Sequence, residues 1–186
     1  LFGFRSVIPS QVHRSLLSAD NALGTQSQKH PDGWGVAYYI DGAPHLTRSP
    51  QTAFSDQLFH RVSGVVASET VLAHVRKATQ GHNSVLNCHP FQYGRFTFAH
   101  NGDIQNFPEV RDELVSHIKP RFRRFVLGDT DSEVLFYLLL TSLERRVSLV
   151  EDAPASILAA AMTETVQLVR HVTDRDPTRD PALLTF

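Results

Sequence analysis

Apolar, β-leaning residues run from Leu1 to Ile8, where Pro9-Ser10 interrupts them. Ser10 is suited to cap a helix whose apolar positions Val12, Leu16, Leu17 and Leu23 fall near helical spacing, so a strand followed by a helix is predicted. Trp34–Ile40 is rich in β-formers, Asp41-Gly42 is a two-residue turn signal, and His45–Arg48 can return antiparallel, which predicts a β-hairpin. A short helix is expected over Phe54–Val62, strands over Thr70–Val75 and Arg95–His100, and a helix starting at Pro108 and running to Ile118. Asp129 or Thr130 can cap a helix that runs through Leu143, and Asp152 with Pro154 opens another to about Val172. Asp174–Pro181 carries Asp and Arg charges flanking two prolines and reads as a surface loop, and Pro181–Phe186 reads as the start of a strand. Strands crowd the first half and helices the second, an α+β pattern.

Composition narrows what such a fold could do. At 186 residues one domain is expected. Eighteen basic against nineteen acidic side chains leave a net charge of −1, so no global field draws the chain to nucleic acid or anionic lipid. The longest apolar stretches, Val134–Leu140 and Ile157–Met162, fall short of the roughly 18 residues that would span a bilayer. The single cysteine, Cys88, excludes an internal disulfide, and a reducing cytoplasm is the expected compartment. A chain that starts at Leu1 inside a strand, and stops as another strand begins, is expected to lack its first residues and a C-terminal portion.

Four segments concentrate unusual residues where strands meet loops: His30-Pro-Asp-Gly-Trp-Gly35, Ala73-His-Val-Arg-Lys-Ala-Thr-Gln-Gly81, Phe98-Ala-His-Asn-Gly-Asp103 and Gly128-Asp-Thr-Asp-Ser-Glu133. The first is either a turn feeding the hairpin or a place where ligand approaches backbone. Arg76, after apolar strand residues, suits bidentate capture of a carboxylate or a plain surface ion pair. An Asn101 carboxamide beside the Gly102 N–H offers two neutral donors aimed at one point, the make-up of an oxyanion hole, yet Asn-Gly is also a common turn. Asp129-Thr-Asp131 could be no more than a helix cap. His74, His82, His89 and His100 invite a metal, but no paired cysteine or short zinc-binding histidine motif accompanies them, so neither metal nor cofactor is expected. Cys88 is expected to be a small packing residue, because on an extended segment Cys88 and His89 point to opposite faces. The basic run Lys119–Arg124 suits a solvated face or an anion-facing patch.

Together and in this order the four segments, with Asn87-Cys-His-Pro-Phe91 and Phe98–Ile104, resemble the class II glutamine amidotransferases, and within them the stand-alone YafJ-type branch. These are N-terminal-nucleophile (Ntn) hydrolases whose first mature residue is a catalytic cysteine. The opening Leu1-Phe-Gly-Phe4 resembles the family's first strand, so the nucleophile is expected upstream of Leu1. The resemblance implies a single domain over residues 1–186 with a four-layer αββα sandwich of two antiparallel sheets. It implies that Arg76, with Thr79, holds the glutamine α-carboxylate, that Asp131 accepts the α-ammonium, and that Asn101 and Gly102 form the oxyanion hole. His74, His100, Gly33 and Trp34 go with them as supporting residues. Lys77 stands where several relatives have an aromatic residue. The implied reaction is hydrolysis of a γ-glutamyl amide through a cysteine thioester, releasing ammonia or an amine, with glutamine or another γ-glutamyl small molecule as substrate. A separate ammonia-accepting synthase is the implied partner, and homo-oligomerisation is compatible with it. The rival expectations are a glutamine-binding regulatory module without the nucleophile and, further off, a metallohydrolase.

Overall fold

The computed structural model describes residues 1–176, 178 and 180–186, so Pro177 and Arg179 of the expected surface loop lie outside the described residues. The chain divides into two compact units, Leu1–Ala99 and His100–Phe186.

The first unit is built on a four-stranded antiparallel sheet of order β1-β4-β2-β3, from β1 (Phe2–Gln11), β2 (Trp34–Ile40), β3 (Ala43–Ser49) and β4 (Ala67–Val75). The expected hairpin is β2–β3. Asp41 and Gly42 both take positive φ, 50° and 77°, as a two-residue turn matched to strand twist requires. The first strand, however, does not stop at Pro9-Ser10. It continues to Gln11, Ser10 pairs with Ser68, and residues 6–9 bulge out between the pairs Arg5–Thr70 and Ser10–Ser68. Proline is tolerated there because β1 is an edge strand and the bulge asks no ladder hydrogen bond of it. The helix expected after Ser10 is instead a π-helical turn, Arg14–Ser18, and a separate short α1 (Leu23–Gln26).

Helix α2 spans Gln57–Val65 rather than Phe54–Val62. Asp56 sets its start: Oδ1 accepts from the Leu58 N–H at 2.8 Å, while Oδ2 accepts from Trp34 Nε1 at 2.9 Å and Ser49 Oγ at 2.7 Å. One carboxylate thus caps a helix and ties it to two strands. These bonds outweigh the burial penalty and hold the Asp56 carboxyl below its usual range. Val12, Leu16, Trp34, Val36, Phe59, Val62, Val71 and Ala73 form the core between helices and sheet. Trp34 and Phe59 meet edge to face at 5.0 Å, a geometry worth about 0.5–1.5 kcal/mol beyond area burial. A second, two-stranded antiparallel sheet pairs β5 (Phe91–Tyr93), which the sequence pattern does not reveal, with β6 (Phe96–Phe98), shorter than the expected Arg95–His100. Tyr39 Oη donates to the Arg95 carbonyl at 2.9 Å and so fastens this hairpin to β2.

The second unit is helical: α3 (Phe107–Ser116), α4 (Pro120–Arg123), α5 (Asp131–Glu144) and α6 (Ala155–Thr173). Every residue of α5 from Asp131 to Leu143 is buried, consistent with the apolar run Val134–Leu140. Its cap is Thr130, whose Oγ1 accepts from the Glu133 N–H at 3.3 Å, while the Glu133 carboxylate reaches back to the Gly128 N–H at 2.7 Å. Part of the basic run folds as α4, and its charges are largely used internally. Lys119 and Arg121 meet Glu144, and Arg123 donates to the carbonyls of Ser116 and Ile118. The C-terminal strand reduces to a single antiparallel bridge, Leu183 with Asp103. The α+β class agrees with the sequence pattern, and the two antiparallel sheets agree with what the family resemblance implies. Among the described residues no helix is long and apolar enough to cross a membrane.

Candidate active site

In the first unit two of the four segments interlock. Trp34 pairs with Val75 and Gly35 with His74 across β2 and β4, and the ladder continues past the strand ends. The Arg76 N–H donates to the Gly33 carbonyl at 2.8 Å, and the Asp32 N–H returns a bond to the Arg76 carbonyl at 3.0 Å. Gly33 sits at φ 117°, and a Cβ there would stand 2.5 Å from Cys88 Sγ, so both conformation and space demand glycine. The Asp32 carboxylate accepts from the Ala78 N–H at 2.9 Å and so shapes the turn that carries Lys77, Ala78 and Thr79. Asp32 was not among the expected site residues. The signal for it was an acid between Pro31 and Gly33, a turn pattern whose distant partner the sequence does not show.

Arg76 follows the last residue of β4 and is only 3% exposed. Its Nη2 donates to the carbonyls of Gln80 at 2.5 Å and Gly81 at 3.2 Å, its Nη1 to Asp32 at 3.5 Å. A buried guanidinium held by neutral carbonyls keeps its full positive charge, which an anionic ligand group would neutralise. Thr79 is exposed on the same loop. His74 is buried with its ring 4.3 Å from that of His89, and Trp34 is wholly buried with its N–H on Asp56. These two are packed residues of the scaffold behind the Arg76 loop.

Cys88 is fully buried, and its thiol donates to the carbonyls of Ser49 and Ser84, each at 3.4 Å. Burial pushes the thiol's pKa up, against the pull of Arg76 and Arg48. A raised pKa and no solvent access are the opposite of what a nucleophilic thiolate needs. Cys88→Ser, which keeps one hydrogen-bond donor at this position, is expected to leave glutamine turnover within about twofold and to change stability by about 1 kcal/mol. Steady-state assays beside thermal melting check this, and loss of turnover at unchanged folding would contradict it.

In the second unit His100, Asn101, Gly102 and Asp131 come together. The backbone of Asn101–Asp103 runs beside the C-terminal segment, with Asn101 N–H donating to the Thr185 carbonyl at 2.8 Å and Asp103 N–H to Leu183 at 3.0 Å. Between these two bonds the Gly102 N–H has no acceptor among the described residues, and neither has the exposed Asn101 carboxamide. The backbone on either side is thereby fixed, and two adjacent neutral donors are left unspent. A Cβ on Gly102 would lie 1.9 Å from the Leu183 carbonyl oxygen and 2.5 Å from His100 Nε2, so glycine here is a requirement of close approach.

Asp131 heads α5 with its side chain 3% exposed as a residue and turned back on the loop before α3. Oδ2 accepts from the Ile104 N–H at 3.0 Å and Oδ1 from the Ser132 N–H at 2.7 Å. The cap itself is Thr130, which frees Asp131 from that task. Burial pushes the Asp131 carboxyl up and the His100 imidazole down, each toward its neutral form, while their mutual attraction opposes both shifts. Ser132, absent from the expected set, links them, with Oγ 3.0 Å from His100 Nδ1 and 3.2 Å from Asp131 Oδ1. Chemically this half offers two neutral donors, at Asn101 and Gly102, and in the same unit a buried acid, Asp131.

Comparison with known proteins agrees with these features. The family model for class II glutamine amidotransferases matches residues 1–172. The chain is 39% identical over 120 residues to DUG3 of Saccharomyces cerevisiae, described as a probable glutamine amidotransferase, covering 61% of this chain and 34% of DUG3. It is 29% identical over 151 residues to YafJ of Escherichia coli, covering 78% of this chain and 55% of YafJ. A solved glutamine aminotransferase class-II domain protein from Silicibacter pomeroyi superposes with a TM-score of 0.62 at 29% identity, over 92% of this chain and 65% of that one. The chain thus spans about a third of DUG3 and about half of YafJ. With a family model matched across nearly its whole length, and the motifs of that family folded into the two arrangements above, this chain belongs to the class II glutamine amidotransferases.

Proposed function

We propose that the chain is a single glutamine-handling domain that hydrolyses the γ-amide of glutamine, or of a related γ-glutamyl compound, through a cysteine thioester. The observation that carries this reading is the pair of unspent donors at Asn101 and Gly102 in the same unit as the buried acid Asp131. In this account Arg76, with Thr79, takes the substrate α-carboxylate and Asp131 takes the α-ammonium. A cysteine thiolate adds to the γ-carbonyl carbon, and the oxygen that gains the negative charge falls to the Asn101 amide and Gly102 N–H. The C–N bond breaks, ammonia leaves with the proton the thiol gave up, and water cleaves the thioester to glutamate and the free thiol. Buried Cys88 does not suit that role, so the reading calls for a nucleophile outside residues 1–186, an N-terminal cysteine whose α-amine serves as base. No synthetase activity is assigned to these residues, and the ammonia acceptor would be a separate partner.

The test is to incubate the full-length protein with glutamine and to measure glutamate and ammonia. Equal amounts of both, with turnover, are expected. Glutamine binding without either product would mark a regulatory binding module, and absence of binding would overturn the proposal.

A further inference from the structure

Asp131, Ser132 and His100 form a chain of three polar side chains buried in the second unit, each no more than 4% exposed. One end is fixed. His100 Nε2 lies 3.2 Å from the Leu183 carbonyl, which can only accept, so Nε2 carries a hydrogen and Nδ1 is the nitrogen free to change its state. The other end is also fixed, because Asp131 keeps the Ser132 and Ile104 N–H groups whatever its charge. Between them the Ser132 hydroxyl, at 3.0 Å from Nδ1 and 3.2 Å from Oδ1, can donate one way and accept the other. Two arrangements satisfy every atom with a single extra proton: imidazolium donating to Oγ while Oγ donates to the carboxylate, or a protonated carboxyl donating to Oγ while Oγ donates to neutral Nδ1. As Oγ takes a proton on one side it gives its own on the other, so charge moves without a net change. The charged groups facing His100 are Asp131 and, further off, Asp103, and the one facing Asp131 is His100.

We propose that Ser132 is a positioning residue that lets His100 and Asp131 share one proton while the site is empty, a proton that is expelled when a ligand ammonium docks on Asp131. This rests on the reading above that Asp131 takes the substrate α-ammonium. With the shared proton the buried pair is neutral overall. When a cation docks, the pair loses its proton to solvent, leaving carboxylate and neutral imidazole, and the buried charges again sum to zero. A charge taken out of water is costly unless matched, and the relay supplies the match in both states. The site would thereby favour ligands with a free α-ammonium over acylated ones, for which no proton need leave.

Calorimetric titration of the full-length protein with glutamate, in buffers of different ionisation enthalpy across a pH range, tests the idea. In the wild type, proton release is expected to approach about one per glutamate on the acid side, with affinity falling about tenfold per pH unit below a midpoint. Ser132→Ala deletes one of the two bonds that hold the shared proton, so the midpoint should move down by about one pH unit, and Ser132→Thr, which keeps the hydroxyl, should restore it. An unmoved midpoint and equal proton release in Ser132→Ala would overturn the inference. Should Asp131→Asn bind glutamate as tightly as wild type, the ammonium assignment itself fails. The relay is then judged by the ring-nitrogen NMR titration of His100 in the ligand-free protein, whose midpoint moves in Ser132→Ala if the relay exists and stays put if it does not.

Discussion

Asn101→Ala is expected to lower kcat for glutamine hydrolysis by about 10²–10³-fold while changing the affinity for glutamine, read on a form whose nucleophilic cysteine is replaced by alanine, by no more than a few-fold. In the ground state a neutral amide carbonyl gains little from one more neutral donor in reach of water. In the transition state the same oxygen carries a negative charge, and a donor already in position meets it without reorganising. The Asn101 backbone is held by its bond to Thr185 and its carboxamide has no partner among the described residues, so truncation removes the donor and leaves the backbone bonding intact. Kinetics of the full-length variant beside calorimetric binding of glutamine to the nucleophile-to-alanine form separate the two effects. An unchanged kcat would remove Asn101 from the oxyanion hole, and an equal loss in kcat and in affinity would show that it binds substrate uniformly.

The second large effect is expected at Arg76, and its sign is reversed: affinity falls and kcat at saturation does not. Arg76→Lys keeps the charge but replaces a planar fork by a point charge on a flexible stem. It also lacks the fork through which Arg76 Nη2 donates to the Gln80 and Gly81 carbonyls. Losing a charge-assisted contact to the ligand carboxylate costs about 1.5–3 kcal/mol, or roughly ten- to a hundredfold in Kd for glutamate. The wild-type melting temperature serves as the control for the loop that Arg76 also supports. Undiminished glutamate binding by a folded Arg76→Lys protein would show that the carboxylate is held elsewhere.

The elements that could be read from sequence are those whose determinants are local. Asp41-Gly42 carries its own turn, and the run Val134–Leu140 its own burial. Pro9 misled for the opposite reason. Whether proline ends a strand depends on whether that strand lies at an edge, and the edge is set by the order β1-β4-β2-β3. At α2 the cap bond from the Leu58 N–H to Asp56 is itself local, while the Trp34 and Ser49 bonds that fix that carboxylate come from residues 22 and 7 positions away.

For the candidate site, the residue types and their strand-end or helix-start positions were visible in the four segments. What those residues touch was not. His100 gains its two partners from Ser132 and Leu183, 32 and 83 residues away. The need for glycine at 102 likewise comes from a carbonyl in the last residues of the chain. Thr130 takes the cap, one of the two residues the sequence offered for it, and the Asp131 carboxylate is left to face Ile104, 27 residues away, a partner the sequence does not show.

The claim at the centre of this account is that glutamine passes through a γ-glutamyl thioester on a cysteine other than Cys88. Full-length protein mixed with glutamine, quenched in acid during turnover and digested for peptide mass analysis tests it most directly. The account predicts a γ-glutamyl adduct on an N-terminal cysteine, with the Cys88 peptide unmodified. An adduct on Cys88, or turnover with no trapped adduct and no N-terminal cysteine in the mature protein, would contradict it.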